Sequence, residues 1–129
     1  MHDLPFTMID RDSRRLVVYW VLTDWCNFRC TYCPENLHDG RSRGLEPEWS
    51  VISGFLDRIN TLAAEGWLIE FGISGGEPTT SKHFEHIFAR LHPQAYGIVT
   101  TNGSRPVGWW KKLARLPDTV IFSIHPESN

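Results

Sequence analysis

Three cysteines fall within eight residues, Cys26-Asn-Phe-Arg-Cys30-Thr-Tyr-Cys33, and the chain has no others. They follow directly on an apolar run, Leu16-Val-Val-Tyr-Trp-Val-Leu22. The run is short, β-branched and aromatic, so it predicts a buried strand over 16–22. The thiols then occupy the loop past the carboxyl end of that strand, where α/β proteins place their chemistry. Any fold open to this chain must present a strand end to a loop of soft ligands.

The same grammar recurs downstream. Pro47 predicts a helix start, and Ile52, Phe55, Leu56, Ile59, Leu62 and Ala63 return at three and four to make one apolar face. Gly66 predicts its C-cap. A second strand over 67–74 is nearly continuous in apolar residues, the pattern of a parallel strand covered on both faces. Gly75-Gly-Glu-Pro78 follows it. Glycines there let the backbone turn sharply and approach a ligand, and their N–H groups can receive an anion. A second helix over 81–91 carries Phe84, Ile87, Phe88 and Leu91 on one face, with His83, His86 and His92 at its surface or end, and Pro93 stops it. A third strand, 95–101, runs into Asn102-Gly103. Pro106 opens a third helix with Trp110, Leu113 and Ala114 buried and Lys111, Lys112 and Arg115 solvated. In a fourth strand, 119–125, Val120, Phe122 and Ile124 share the face that should meet helices, while Ile121, Ser123 and His125 share the other. Strands alternating with helices predict an α/β parallel sheet. Residues 1–15 read as an N-terminal arm or a small hairpin with a strand over 6–9.

Three clustered thiols cannot pair off fully as disulfides, and soft sulfur selects zinc, cuprous ion or an iron–sulfur cluster. Three readings stand side by side. The thiols hold a cluster with one iron left open; or they hold structural zinc with His38 as fourth ligand; or Cys30-Thr-Tyr-Cys33 is a redox dithiol. The 129 residues make one domain, and six tryptophans and seven phenylalanines give it large core side chains. A net charge of −2 argues against a nucleic-acid or membrane field. No apolar run approaches a membrane span, no leader pattern opens the chain, and clustered thiols suit the cytoplasm.

The spacing C-x3-C-x2-C, with Tyr32 before the last cysteine, resembles the signature of the radical S-adenosylmethionine (SAM) enzymes. Gly75-Gly-Glu-Pro78, one βα unit later, resembles the motif with which that family binds the methionine amino group, and Thr101-Asn-Gly103 matches a third family string. The resemblance implies parallel βα repeats forming about the first four strands of a partial TIM-like barrel, truncated, with residues 16–129 as an incomplete core. It implies a 4Fe-4S cluster on Cys26, Cys30 and Cys33 and SAM against Tyr32, Gly75, Gly76, Glu77, Asn102, Ser123 and His125. Glu77 would hold the ammonium group, Tyr32 would lie near the adenine, and Ser123 and His125 would meet the ribose or carboxylate. The resemblance also implies that Arg29 or Asn27 tunes the cluster through a hydrogen bond. The implied activity is reductive cleavage of SAM to a 5′-deoxyadenosyl radical that takes hydrogen from substrate. No residue is singled out as acting on that substrate, a peptide or small molecule. The implied partners are an external electron donor and a C-terminal segment or second protein that completes the barrel. The cysteine string resembles the branch of peptide maturases and glycyl-radical activases, and deazapurine-forming relatives also carry Gly-Gly-Glu-Pro. Two alternatives accompany the enzyme: a cluster- and SAM-binding remnant without turnover, and a structural zinc module.

Overall fold

A computed structural model describes residues 14–127. The proposed hairpin strand over 6–9 lies outside the described residues, as do the last two residues. Four strands alternate with helices: β1 Arg15–Thr23, α1 Trp49–Ala64, β2 Leu68–Gly75, α2 Phe84–Arg90, β3 Tyr96–Thr101, α3 Val107–Trp110 and β4 Thr119–Phe122. The sheet order is β1-β2-β3-β4 and every pairing is parallel. This is the α/β architecture expected, the first strands of a partial TIM-like barrel. All four strand ends that carry motifs therefore lie at one edge of the sheet.

Local chemistry accounts for the boundaries. Glu48 O accepts the first amide bonds of α1, so the helix begins just after Pro47 rather than on it. Its end is a Schellman turn: Gly66, at φ +91°, donates to Ala63 O, and Trp67 donates to Leu62 O. A 3₁₀ turn, Pro78–Thr80, separates the glycine loop from α2. At the end of α2, Asn60 of α1 bonds Arg90 O and the His92 N–H, joining the two helices.

The core lies on one face of the sheet. Ile52, Leu56, Ile59 and Ala63 of α1 and Phe84, Ile87 and Phe88 of α2 cover Ile69, Phe71, Ile73 and Val99. Register places Leu16, Val18 and Trp20 of β1 beside Ile69, Phe71 and Ile73. Trp20 meets Phe55 and Phe71 edge-on, and Phe84 packs on Phe88, Trp109 and Trp110. Each large apolar side chain buried this way is worth about 1.5–3 kcal/mol.

Several expectations need correction. β1 and β2 are covered on one face only. Val17, Tyr19 and Val21 are exposed, because among the described residues no layer faces that side of the sheet. β4 ends at Phe122, short of the strand expected over 119–125; on its helix side Val120 packs on the core, while Phe122 is 61 % exposed and Ile124, past the strand, 81 %. The reason is that α3 is a single turn, too short to reach them. Of the stripe expected on this helix, Trp110 and Leu113 pack on the core, while Ala114 is exposed. Arg115 is not solvated but folded back, its guanidinium donating to Leu91 O, His92 O and Ala95 O at 2.6–3.1 Å. His83, expected at the surface, is buried beneath Trp49.

Candidate functional site

The site begins where β1 and β2 leave the sheet. Their pairing continues past the strand ends: the Gly76 N–H donates to Thr23 O and the Glu77 N–H to Trp25 O, both at 2.8 Å. The backbones approach so closely that a Cβ on Gly75 would lie 2.2 Å from Thr23 O, and one on Gly76 2.2 Å from Trp25 O. Gly75 also takes φ +142°, a conformation closed to other residues. The glycines thus let the loop touch the root of the cysteine loop. The Gly76 and Glu77 N–H groups expected to receive an anion are instead spent on that junction.

The cysteine loop folds back on itself. The Cys33 N–H donates to Cys30 O at 3.1 Å, closing a tight turn. The Cys26 N–H donates to Leu37 O, and a 3₁₀ turn over Glu35–Leu37 carries the chain on to His38. Loop and strand ends enclose a cavity of about 140 Å³. Eight of the ten residues singled out from the sequence line it: Cys26, Cys30, Cys33, Gly75, Gly76, Asn102, Ser123 and His125. Tyr32 and Glu77 do not. Phe28, His38 and Thr101 line it too. The C-x4-H spacing after Cys33 was the signal for His38, and the Thr-Asn-Gly string that for Thr101; nothing local marks Phe28.

None of the three cysteines is in a disulfide. Cys26 Sγ accepts the Phe28 N–H at 3.4 Å and the Asn102 amide at 3.7 Å. Asn102 in turn donates to Asn27 Oδ1 at 2.9 Å, and Asn27 donates to Ser104 Oγ. So Asn102 reaches the sulfur, Asn27 acts through it, and Arg29 is exposed. Burial pushes the Cys26 thiol up, the two hydrogen bonds pull it down, and the Glu77 charge adds to the rise. Burial and then the neighbouring Cys30 raise Cys33. A bound cation would reverse these shifts by favouring thiolates.

Glu77 sits behind the cavity wall, fully buried. Oε1 accepts the Thr79 N–H, the Thr79 hydroxyl and the Thr101 hydroxyl at 3.1, 2.6 and 2.7 Å; Oε2 accepts the Asn102 N–H at 2.6 Å. Four donors match the roughly four lone-pair sites of a carboxylate. The side chain stitches the glycine loop to the end of β3 and sets Asn102 against Cys26.

His125 bridges β4 to the cysteine loop. Its Nδ1 lies 2.7 Å from the Tyr32 hydroxyl and 3.4 Å from Cys30 Sγ, and its ring stacks on Tyr32 with planes 5° apart. Contact with Cys30, together with burial, pushes the Tyr32 hydroxyl up to about 12. Glu127 completes the clasp, accepting the Thr31 N–H at 3.0 Å and the Thr31 hydroxyl at 2.6 Å. These two bonds, hydroxyl first, hold its carboxyl below the usual range.

Among the described residues no three His, Cys, Asp or Glu side chains converge on a point that would hold a single metal ion. Nor is any described helix long and apolar enough to cross a membrane. A profile of the radical SAM superfamily matches residues 20–128, most of the chain and every motif around the cavity. This chain belongs to the radical SAM superfamily. Among curated radical SAM relatives, a GTP 3′,8-cyclase of Pectobacterium atrosepticum is 36% identical over 97 residues, covering 70% of this chain and 29% of the relative. One from Actinobacillus succinogenes is 33% identical over 111 residues, covering 78% and 32%. One from Yersinia pestis is 38% identical over 111 residues, covering 81% and 31%. The chain thus spans about a third of the length of these relatives. They are neither the peptide maturases nor the deazapurine synthases that the motif strings resemble. No solved structure gives a significant match.

Proposed function

We propose that this radical SAM chain is a cluster- and SAM-binding unit that does not turn over by itself. The observation that carries the reading is that the three sulfurs share one cavity with the carboxyl ends of β2, β3 and β4. The residues fit a 4Fe-4S cluster better than a zinc ion. Zinc needs its ligands to converge at about 2.3 Å for sulfur, and no such group exists among the described residues. A cluster takes each cysteine on a different iron, so three sulfurs lining one cavity suit it without converging on a point. The cavity wall also includes His38, whose Nε2 is buried without a hydrogen-bond partner, as expected of a polar atom meant for a bound group.

Cys26, Cys30 and Cys33 would hold the cluster. When bound, it supplies one electron for reductive cleavage of SAM to a 5′-deoxyadenosyl radical. The protein's part is to orient and to exclude water. Phe28 and Asn102 orient Cys26 through the bonds to its sulfur. His125 holds the Cys30 turn and fixes the Tyr32 ring at the rim, where adenine would lie. Gly75, Gly76, Asn102 and Ser123 line the cavity in which SAM would lie. Glu77 acts from behind, as a positioning residue for Asn102. The substrate class suggested by the relatives' names is a purine nucleoside triphosphate, and the electron comes from an external donor.

The test is anaerobic reconstitution of the chain with iron and sulfide. Expected are a brown protein and a reduced paramagnetic centre whose spectrum changes on adding SAM, with no 5′-deoxyadenosine when reductant and GTP are supplied. Formation of 5′-deoxyadenosine would raise the chain to a complete enzyme. A colourless product that keeps stoichiometric zinc and unfolds with chelator would replace the reading with a structural metal module.

A further inference from the structure

His38 has no role in the contacts described so far, yet the loop delivers it to the cavity. The Cys26 N–H bond to Leu37 O folds the 3₁₀ turn onto the root of the cysteine loop, and the His38 N–H donates back to Glu35 O at 3.0 Å. His38 then lines the same cavity as the three cysteines. Its Nε2 is buried with no partner. Among the described residues only His83 Nε2 shares that condition, and His83 lies elsewhere, against Trp49. A buried polar atom left this way costs about 1–3 kcal/mol. Over a site built for a group rich in sulfur, the cost is recovered when that group arrives.

We propose that His38, as the Nε2–H tautomer, donates a hydrogen bond to a sulfur of the cluster held by Cys26, Cys30 and Cys33, and that this bond raises the cluster's reduction potential. The inference rests on the cluster reading above. A donor at sulfur stabilises the more negative, reduced cluster, so potential rises with each such bond. Direct ligation of iron by Nε2 is the competing role. In the cluster reading the iron that no cysteine holds is the one SAM takes, so His38 is assigned to sulfur. His38 is a positioning residue that acts through sulfur.

The experiment compares wild type, His38→Leu, which removes the donor, and His38→Gln, which keeps an N–H. Each is reconstituted anaerobically, analysed for iron and sulfide, and titrated by EPR-monitored reduction without SAM. The His38→Leu cluster should be harder to reduce by about tenfold in the equilibrium constant, which is about 59 mV for one electron. The His38→Gln cluster should fall between the two. In protein labelled with ¹⁵N-histidine, His125, 3.4 Å from Cys30 Sγ, contributes a coupling of its own, so the deciding signal is a weak nitrogen coupling present in wild type and lost in His38→Gln. Should His38→Leu fail to load, that coupling decides alone: its presence supports the proposal and its absence overturns it. An unchanged potential in a loaded His38→Leu protein, or a coupling as large as that of an iron ligand, also overturns it. Loss of the cluster signal in wild type itself would instead mark failure of the cluster reading.

Discussion

Glu77 and Gly76 show how a motif can serve the fold and the site at once. The Glu77 carboxylate takes four protein donors, three on Oε1 and one on Oε2. Glu77→Gln would set an amide donor against those N–H and O–H groups and remove the charge they serve. Hydrogen bonds to charged groups contribute about 1.5–3 kcal/mol each, so the substitution should cost about 3 kcal/mol in urea unfolding of iron-free, SAM-free protein. Unfolding at the wild-type midpoint, with SAM affinity alone reduced, would instead make Glu77 a ligand contact. Gly76→Ala drives a methyl into the Trp25 carbonyl, and backbone on both sides leaves no flexible partner to yield. It should cost about 3 kcal/mol or more, read as a lower urea midpoint with unchanged slope.

Between elements, the segment after β4 is held to the cysteine loop by Glu127 and His125 rather than by sheet pairing. Glu127 has its carboxyl pKa lowered when docked, from an ordinary value of 4.5. Above that value both docked and undocked forms are ionised, and the contact with Thr31 contributes in full. As pH falls below 4.5 the undocked form takes up the proton first, and the contribution fades until the docked carboxyl is protonated as well. The Thr31 amide should therefore exchange faster, relative to the intrinsic rate, below pH about 4.5 than at neutral pH. In Glu127→Gln the ratio should not vary over that window. The expected amphipathic α3 failed for a related reason. Arg115 satisfies three carbonyls beyond the end of α2, and that tertiary demand outweighs helical propensity over residues 111–115.

For the whole molecule, apolar side chains left bare on both sides of the sheet set the solution behaviour. Tyr19 is 79 % and Ile124 81 % exposed, and β4 is a sheet edge among the described residues. Exposed apolar strands of this kind invite pairing with other chains. Sedimentation of the 129-residue chain should show association that rises with concentration. Tyr19→Lys and Ile124→Lys should each shift the distribution toward monomer without lowering thermal stability, since neither side chain packs in the core. A wild-type chain that stays monomeric at high concentration would contradict this.

Period and punctuation in the sequence were enough to specify four parallel strands, the first two of their intervening helices and the motifs at their carboxyl ends. An apolar stripe needs only neighbours three, four or two positions away to declare its element. Eight site residues came to one cavity because parallel strands necessarily deliver their ends to one edge. Three matters were decided only by tertiary contact. Glu77 turned away from the cavity because Thr79, Thr101 and Asn102 supply its donors. His38 entered the cavity because Cys26 bonds Leu37 across a loop with no period of its own. And one face of β1 stayed open because burial depends on what packs against a strand, which the strand's own residues do not encode.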